Sequence, residues 1–265
     1  MSTSTRKIAV VTGASSGIGA VYAERLAQRG YDLVLVARRA DRLQAMAVSI
    51  AKVHGVRVES LIADLATEAG QAGVEQILAS NPAVSVLVNN AGIARLAPIA
   101  GSPLDDSLSQ ISLNVTALTR LTHAALPGMK ARNDGLIINI ASALALHTLP
   151  FSSVYSGTKA FVLAFSRGLQ QELADTAVKV QVVLPAATAT ELWDNSGVPL
   201  AALAPATVMQ TDHMVDAALR ALDQGEDLTM PSLADTEVFE RFDAARIALF
   251  STAQTGKVAA RLLPA

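Results

Sequence analysis

The sequence contains no cysteine among its 265 residues. Disulfides, thiolate metal sites and a cysteine nucleophile are thereby excluded. A reducing cytoplasm is the expected location, since chains there need no disulfides. Aromatic residues are scarce at 4 %, with one tryptophan, while hydrophobic residues reach 51 %. The core must therefore be built from Ala, Val, Leu and Ile. Charge of one sign is also lacking. A formal net charge of −2 offers no bulk attraction to nucleic acid or to an anionic membrane, and neither is expected as a partner. No run of about 18 apolar residues would span a bilayer. The first apolar run, residues 8–11, stops at Thr12-Gly13, so no secretory leader is expected. His54, His123, His147 and His213 are scattered without ligand spacing, and no metal site is expected.

What is present is an alternation. Short β-branched runs at 8–11, 32–37, within 56–64, and at 84–88, 136–140 and 178–184 read as strands. Helical patterns separate them: an Ala-rich stretch ending at Arg29-Gly30, then 41–53, 68–79, 104–130 and 154–174. Strands this apolar are covered on both faces, as parallel strands joined by helices are. The pattern predicts an α/β fold with a doubly wound parallel sheet. A length of 265 residues suits one domain better than two. After Pro185 the pattern weakens, and residues 186–210 read as a long loop. Residues 237–250 form a late amphipathic pattern with Val238, Phe239, Phe242, Ile247 and Phe250 as apolar positions, read first as ordinary core packing.

The first strand runs into Thr12-Gly13-Ala14-Ser15-Ser16-Gly17-Ile18-Gly19. Glycines there let the backbone turn tightly and approach a ligand. The helix that follows offers free N–H groups and the positive end of its dipole, which suit a pyrophosphate. The spacing Gly-x-x-x-Gly-x-Gly differs from the common dinucleotide fingerprint, and no Lys-Ser/Thr pair follows to make a nucleoside-triphosphate loop.

At the end of the second strand stand Arg38 and Arg39. A carboxylate at the strand tip would bond a ribose hydroxyl, whereas an arginine suits a 2′-phosphate. NADP(H) is therefore the expected cofactor, with Arg38 as first contact and Arg39 as second. Asp41 reads as a helix-start residue. Asp64 closes the third strand, where Asp is favoured as a cap on the next helix.

Five features occur in one order: the TGASSGIG turn, Asn89-Asn90-Ala91-Gly92, Asn114, Ser142, and Tyr155-x-x-x-Lys159. In that order they resemble the short-chain dehydrogenase/reductase family over residues 7–185. The resemblance implies a single domain with a Rossmann-type sheet, a cofactor-binding and catalytic core over 5–185, and a substrate loop and C-terminal elements over 186–250, with Asp64 approaching the adenine as the alternative to its cap. It implies a small carbonyl or alcohol as substrate, with Tyr155 as general acid/base, Ser142 on the substrate oxygen, Lys159 tuning Tyr155 and holding the nicotinamide ribose, and Asn114 completing a proton route. Gly13, Ser15, Ser16, Gly17, Ile18, Gly19, Asn90, Ala91 and Gly92 would line the cofactor, while Asn89 ties strands together.

A free phenol titrates near ~10, and a lysine ammonium four residues along the same helix face would lower that value. Relatives follow the sixth strand with Pro-Gly-x-x-x-Thr. Here the run is Pro185-Ala186-Ala187-Thr188-Ala189-Thr190. Thr190, or else Thr188, would meet the carboxamide, and Ala186 would be strained if its φ were positive. Ala143, Leu144, His147, Leu192, Trp193 and Leu200 are the expected apolar pocket wall, His147 more as a surface-loop residue. A homodimer or homotetramer is expected from the resemblance. A non-catalytic NADP(H) sensor and an epimerase or dehydratase stand as alternative readings.

Overall fold

The computed structural model describes residues 6–263. The chain divides into two compact units, Met1–Pro231 and Ser232–Ala265.

The first unit opens with β1 (Ile8–Thr12), α1 (Gly17–Gln28), β2 (Asp32–Ala37), α2 (Ala40–His54), β3 (Val58–Ile62), α3 (Glu68–Ser80) and β4 (Val84–Asn89). It continues with α4 (Leu104–Ile111), a π-helical segment (Ser112–Ala117), α5 (Leu118–Arg132), β5 (Gly135–Ile140), α6 (Ser153–Glu172) and β6 (Val178–Val183). It ends with α7 (Thr211–Asp223) and β7 (Leu228–Thr229). The strands form one sheet in the order β3-β2-β1-β4-β5-β6-β7, and every neighbouring pair is parallel. The doubly wound expectation holds, because the β-branched runs are buried from both sides. On one face Tyr22, Leu26, Leu43 and Met214 pack on Val11 and Leu35. On the other Val74, Leu121, Met129 and Leu169 pack on Val10 and Leu87.

Strand order reverses between β1 and β4. Connections leave these two strands to opposite sides, so a crevice opens beyond their C-terminal ends, where open α/β sheets bind ligands.

Three departures from the sequence reading matter. The pattern at 104–130 was expected as one helix, but it carries the π-helical segment Ser112–Ala117, in which Asn114 lies. Such insertions concentrate at functional sites because they displace the residues that follow around the helix. Secondly, α7 and β7 lie beyond the point where the pattern weakened. Two-residue β7 is too short for any period, and it is held by Gln181, whose Nε2 donates to Thr229 Oγ1 at 3.0 Å and to Ala218 O at 2.8 Å. Thirdly, the loop after β6 contains three 3₁₀ turns, Glu191–Asn195, Leu200–Ala202 and Pro205–Thr207.

The second unit is helical. Its α8 (Thr236–Ala253) starts at Asp235, whose carboxylate accepts from Glu237 N. The Phe239 and Phe242 rings lie 6.0 Å apart. No residue of α8 is buried, and Val238, Phe242, Ile247 and Phe250 are exposed. Within its own unit the stripe has no core to pack on: an apolar period marks a face without saying what meets it.

Candidate functional site

The crevice is a groove of about 860 Å³, a size that suits a cofactor and a substrate together. Its first wall is the turn after β1. Gly13 and Gly17 take φ of +65° and +55°, a region that side chains disfavour. At Gly13 a Cβ would stand 2.7 Å from Asn90 Nδ2, so the close approach also needs glycine. Thr12 staples this turn to the end of β4. Its Oγ1 donates to Val88 O and accepts from Asn90 N and Ala91 N, all at 3.0 Å. Asn90 answers with Nδ2 donating to Thr12 O at 2.9 Å. Ser16 is the N-cap of α1 and makes no side-chain cap bond. The first-turn N–H groups thus have no capping side chain, and Gly17 and Ile18 line the groove. This is the donor set a pyrophosphate needs, and the residues fit a dinucleotide there.

The far end holds Asn114, Ser142, Tyr155 and Lys159. Tyr155 and Lys159 lie one turn apart on α6 and are both buried. Lys159 Nζ donates to Ile140 O at 2.8 Å and sits 5.7 Å from the centre of the Tyr155 ring. Ser142 follows β5; its Oγ accepts from Leu144 N at 3.1 Å and hydrogen-bonds Tyr155. Asn114 is fully engaged. Its Oδ1 accepts from Ile93 N at 2.9 Å, and its Nδ2 donates to Ile93 O at 2.9 Å and to Thr158 Oγ1 at 3.1 Å. The side chain therefore clamps the segment after β4 to α6.

Burial pushes the Tyr155 phenol up to about 12, and the hydrogen bond with Ser142 opposes this. Burial also pushes Lys159 down to about 8. The expected lowering of Tyr155 by Lys159 is therefore not the balance found in the protein alone. Desolvation penalises both charged forms and is the largest cause at each. The phenol is a proton holder at neutral pH.

The rim beside β2 is charged and exposed. Arg38 lines the groove and has no hydrogen bond or ion pair among the described residues. Arg39 is engaged: Nε and Nη2 donate to Ser15 Oγ at 3.1 and 3.0 Å, Nη2 to Ser16 Oγ at 2.6 Å, and Nη1 to Glu191 Oε2 at 2.5 Å. Asp64 lines the same wall. Its Oδ1 accepts from Ala66 N at 3.0 Å, while Thr67 is the N-cap of α3. The capping alternative for Asp64 thus gives way to a local turn.

The expected residues gather around one groove, with adjustments. Gly13, Ser15, Ser16, Gly17, Ile18, Arg38, Arg39, Asp64, Asn90, Ala91, Gly92, Ser142, Tyr155, Lys159, Thr188 and Thr190 line it. Gly19 lies behind the wall, where a Cβ would meet Gly13 O at 2.5 Å. Asn114 is also one layer back. Asn89 ties β4 inward, donating to Thr122 Oγ1 and Asn139 Oδ1. Ala143, Leu144, Leu192 and Trp193 form the apolar wall with Leu96, Leu149 and Leu203. His147 and Leu200 lie outside the groove. Ala186 has no positive φ; Asn133 is the one such non-glycine among the described residues. Sequence reading missed Thr12, Thr158, Arg42 and Glu191. The threonines were readable only as parts of motifs, and Glu191 is separated from its arginines by about 150 positions.

The model of the short chain dehydrogenase family matches residues 7–199. Very-long-chain 3-oxoacyl-CoA reductase-A of Danio rerio is 37 % identical over 197 residues, 70 % of this chain and 59 % of that protein. The chain spans about 60 % of the length of the curated relatives it matches. A short-chain dehydrogenase from Sphingobium yanoikuyae, solved in complex with NADPH, is 42 % identical with a TM-score of 0.94, covering 97 % of this chain and all (100 %) of that one. The bulky-bulky ketone specific alcohol dehydrogenase from Comamonas testosteroni is 36 % identical with a TM-score of 0.88, covering 97 % of this chain and 99 % of that one. No described helix is long and apolar enough to cross a membrane.

Proposed function

The chain belongs to the short-chain dehydrogenase family, and from that premise we propose that it is an NADP(H)-dependent oxidoreductase interconverting a bulky apolar ketone and its alcohol. One observation carries the reading: a single groove has unpaired Arg38 at one end and Ser142, Tyr155 and Lys159 converging at the other. An NADPH-bound relative that aligns over nearly the whole chain supports the cofactor.

The nicotinamide, when bound, supplies or accepts the hydride. The chain's own residues do the rest. The turn after β1 holds the pyrophosphate on backbone N–H groups, and Arg38 meets the 2′-phosphate with its planar fork. Asp64, Asn90, Ala91 and Gly92 bound the adenosine side, and Thr188 and Thr190 bound the carboxamide side. Ser142 Oγ holds the substrate oxygen and stabilises charge growing there. Tyr155 Oη donates its proton to that oxygen in reduction, consistent with a phenol held neutral by burial, and takes it back in oxidation. Lys159, held by Ile140 O, places a positive charge under the phenol when protonated, which eases its release of the proton. Asn114 fixes the helix turn whose backbone would lead a proton toward solvent.

Leu96, Leu144, Leu149, Leu192, Trp193 and Leu203 make the substrate side apolar and wide. The bulky-bulky ketone specific relative agrees with that wall. We read residues 5–185 as the cofactor-binding and catalytic core and 186–250 as a substrate loop followed by C-terminal elements. We read the assembly as a homodimer or homotetramer, supported by exposed Leu104, Leu108, Ile111 and Phe161, and the location as cytoplasmic, supported by the lack of cysteine. Following NADPH absorbance against ketones and aldehydes of graded size tests the central reading. Turnover should favour ketones with large apolar groups on both sides. Turnover with none of them, or a preference for NADH, would sink it.

A further inference from the structure

Glu191 opens the first 3₁₀ turn of the loop after β6, yet its carboxylate lies on the far rim beside β2. Oε2 accepts from Arg39 Nη1 at 2.5 Å, and Oε1 accepts from Arg42 Nη1 at 2.6 Å. The two guanidinium groups hold the carboxyl below the usual carboxylate range, so it is an anion at any working pH. Arg39 also donates to Ser15 and Ser16 of the turn that meets the cofactor. It is thus a cation placed at an anion-recognition turn, and the anion it faces belongs to the chain itself.

We propose that Glu191 is an internal competitor: its carboxylate and the 2′-phosphate of the cofactor contend for Arg39, and Arg42 retains the carboxylate during the exchange. The inference rests on the NADP(H) reading above. A guanidinium has a fixed set of donors, and those of Arg39 are divided between two serines and Glu191. A phosphate held by Arg38 beside Ser15 must either displace the carboxylate to reach Arg39 or lie close to a like charge. Arg42 is a partner already in contact, so displacement costs one ion pair and leaves the loop attached. The consequence is a cofactor affinity set below what the arginines alone would give, with the substrate loop coupled to phosphate recognition.

The test uses the whole protein and calorimetric titration with adenosine 2′,5′-bisphosphate, and with adenosine 5′-monophosphate as control. Glu191→Gln should tighten the bisphosphate two- to fivefold, about what an exposed ion pair supplies, and leave the monophosphate unchanged. Arg42→Gln should weaken the bisphosphate by a similar factor, because the carboxylate then falls wholly on Arg39. In the double variant the loss should vanish, so that Glu191→Gln/Arg42→Gln binds like Glu191→Gln. Additive effects would make Arg42 a direct phosphate ligand and overturn the competition, as would a Glu191→Gln variant that binds no tighter. If the wild-type chain binds both nucleotides equally, the NADP(H) reading itself fails, a result distinct from either.

Discussion

The two ends of the groove are built from opposite materials. At the catalytic end, Tyr155 and Lys159 are buried, and Asn114 spends its whole side chain on Ile93 and Thr158. At the rim, Arg38, Arg39, Arg42 and Glu191 are exposed, and the last three are joined by surface ion pairs. Burial fixes one geometry because an unmade hydrogen bond there is expensive. Exposure leaves alternatives within a kilocalorie or so, because water replaces any lost partner. On the proposed function, chemistry that needs a proton placed at one atom sits in the first environment, and recognition that must let a cofactor come and go sits in the second.

The widest separation of the two ends should come from Tyr155→Phe. Loss of the proton donor should lower kcat roughly 10²–10⁴-fold, while affinity for NADPH, followed by fluorescence titration, changes by less than about twofold. A variant that reduced ketones at the full rate would overturn the mechanism and leave the rim untouched.

The catalytic end also carries a stability cost that the rim does not. A lysine pushed down to about 8 by burial binds fewer protons folded than unfolded between pH 8 and its ordinary ~10.5. Folding then grows more favourable as pH rises through that window, and the penalty is full below pH 8. Lys159→Met should therefore abolish activity yet stabilise the fold at pH 7, by on the order of 1–3 kcal/mol. The gain should shrink as pH climbs past 8. Urea unfolding at pH 7 and pH 9.5 measures it; a variant less stable at both would show that Lys159 is a structural prop.

At the rim the effect should be smaller and confined to cofactor choice. Arg38→Leu should raise the KM for NADPH by roughly tenfold, the worth of a charge-assisted hydrogen bond, with NADH and the unfolding midpoint unmoved. If NADPH and NADH weakened together, Arg38 would be holding the turn and not reading the phosphate.

Legibility in the sequence follows the same division. The sheet was readable because β2 and β4 are buried along their whole length and filled mostly by Val and Leu. The gathering of Ser142, Tyr155 and Lys159 in one groove was readable because a strand end and one helix turn dictate their spacing. The rim was readable only in part. Arg38 and Arg39 announce themselves at a strand tip, but Glu191 meets them through tertiary folding, and no local period marks a surface ion pair. The π-helical insertion around Asn114 and the two-residue β7 were hidden for a related reason: each breaks the very periodicity by which helices and strands are found.

Ala186 lies between the two ends, on the exposed stretch that leaves β6, and it is where a local rule misleads. The family pattern has glycine there, and an alanine forced to positive φ would be strained. The backbone is not in that region, so the alanine releases no strain on replacement. Ala186→Gly should then act through the unfolded chain, which gains freedom it must lose on folding. The expected change is a loss of about 0.4–1 kcal/mol in stability by urea unfolding, with kcat and the KM for NADPH unchanged. A gain in stability would mean that the strand exit is under strain after all. It would also mean that the carboxamide side near Thr188 and Thr190 is set by that strain, and not by the hydrogen bond from Thr188 Oγ1 to Ala186 O at 3.1 Å, which glycine at position 186 would keep.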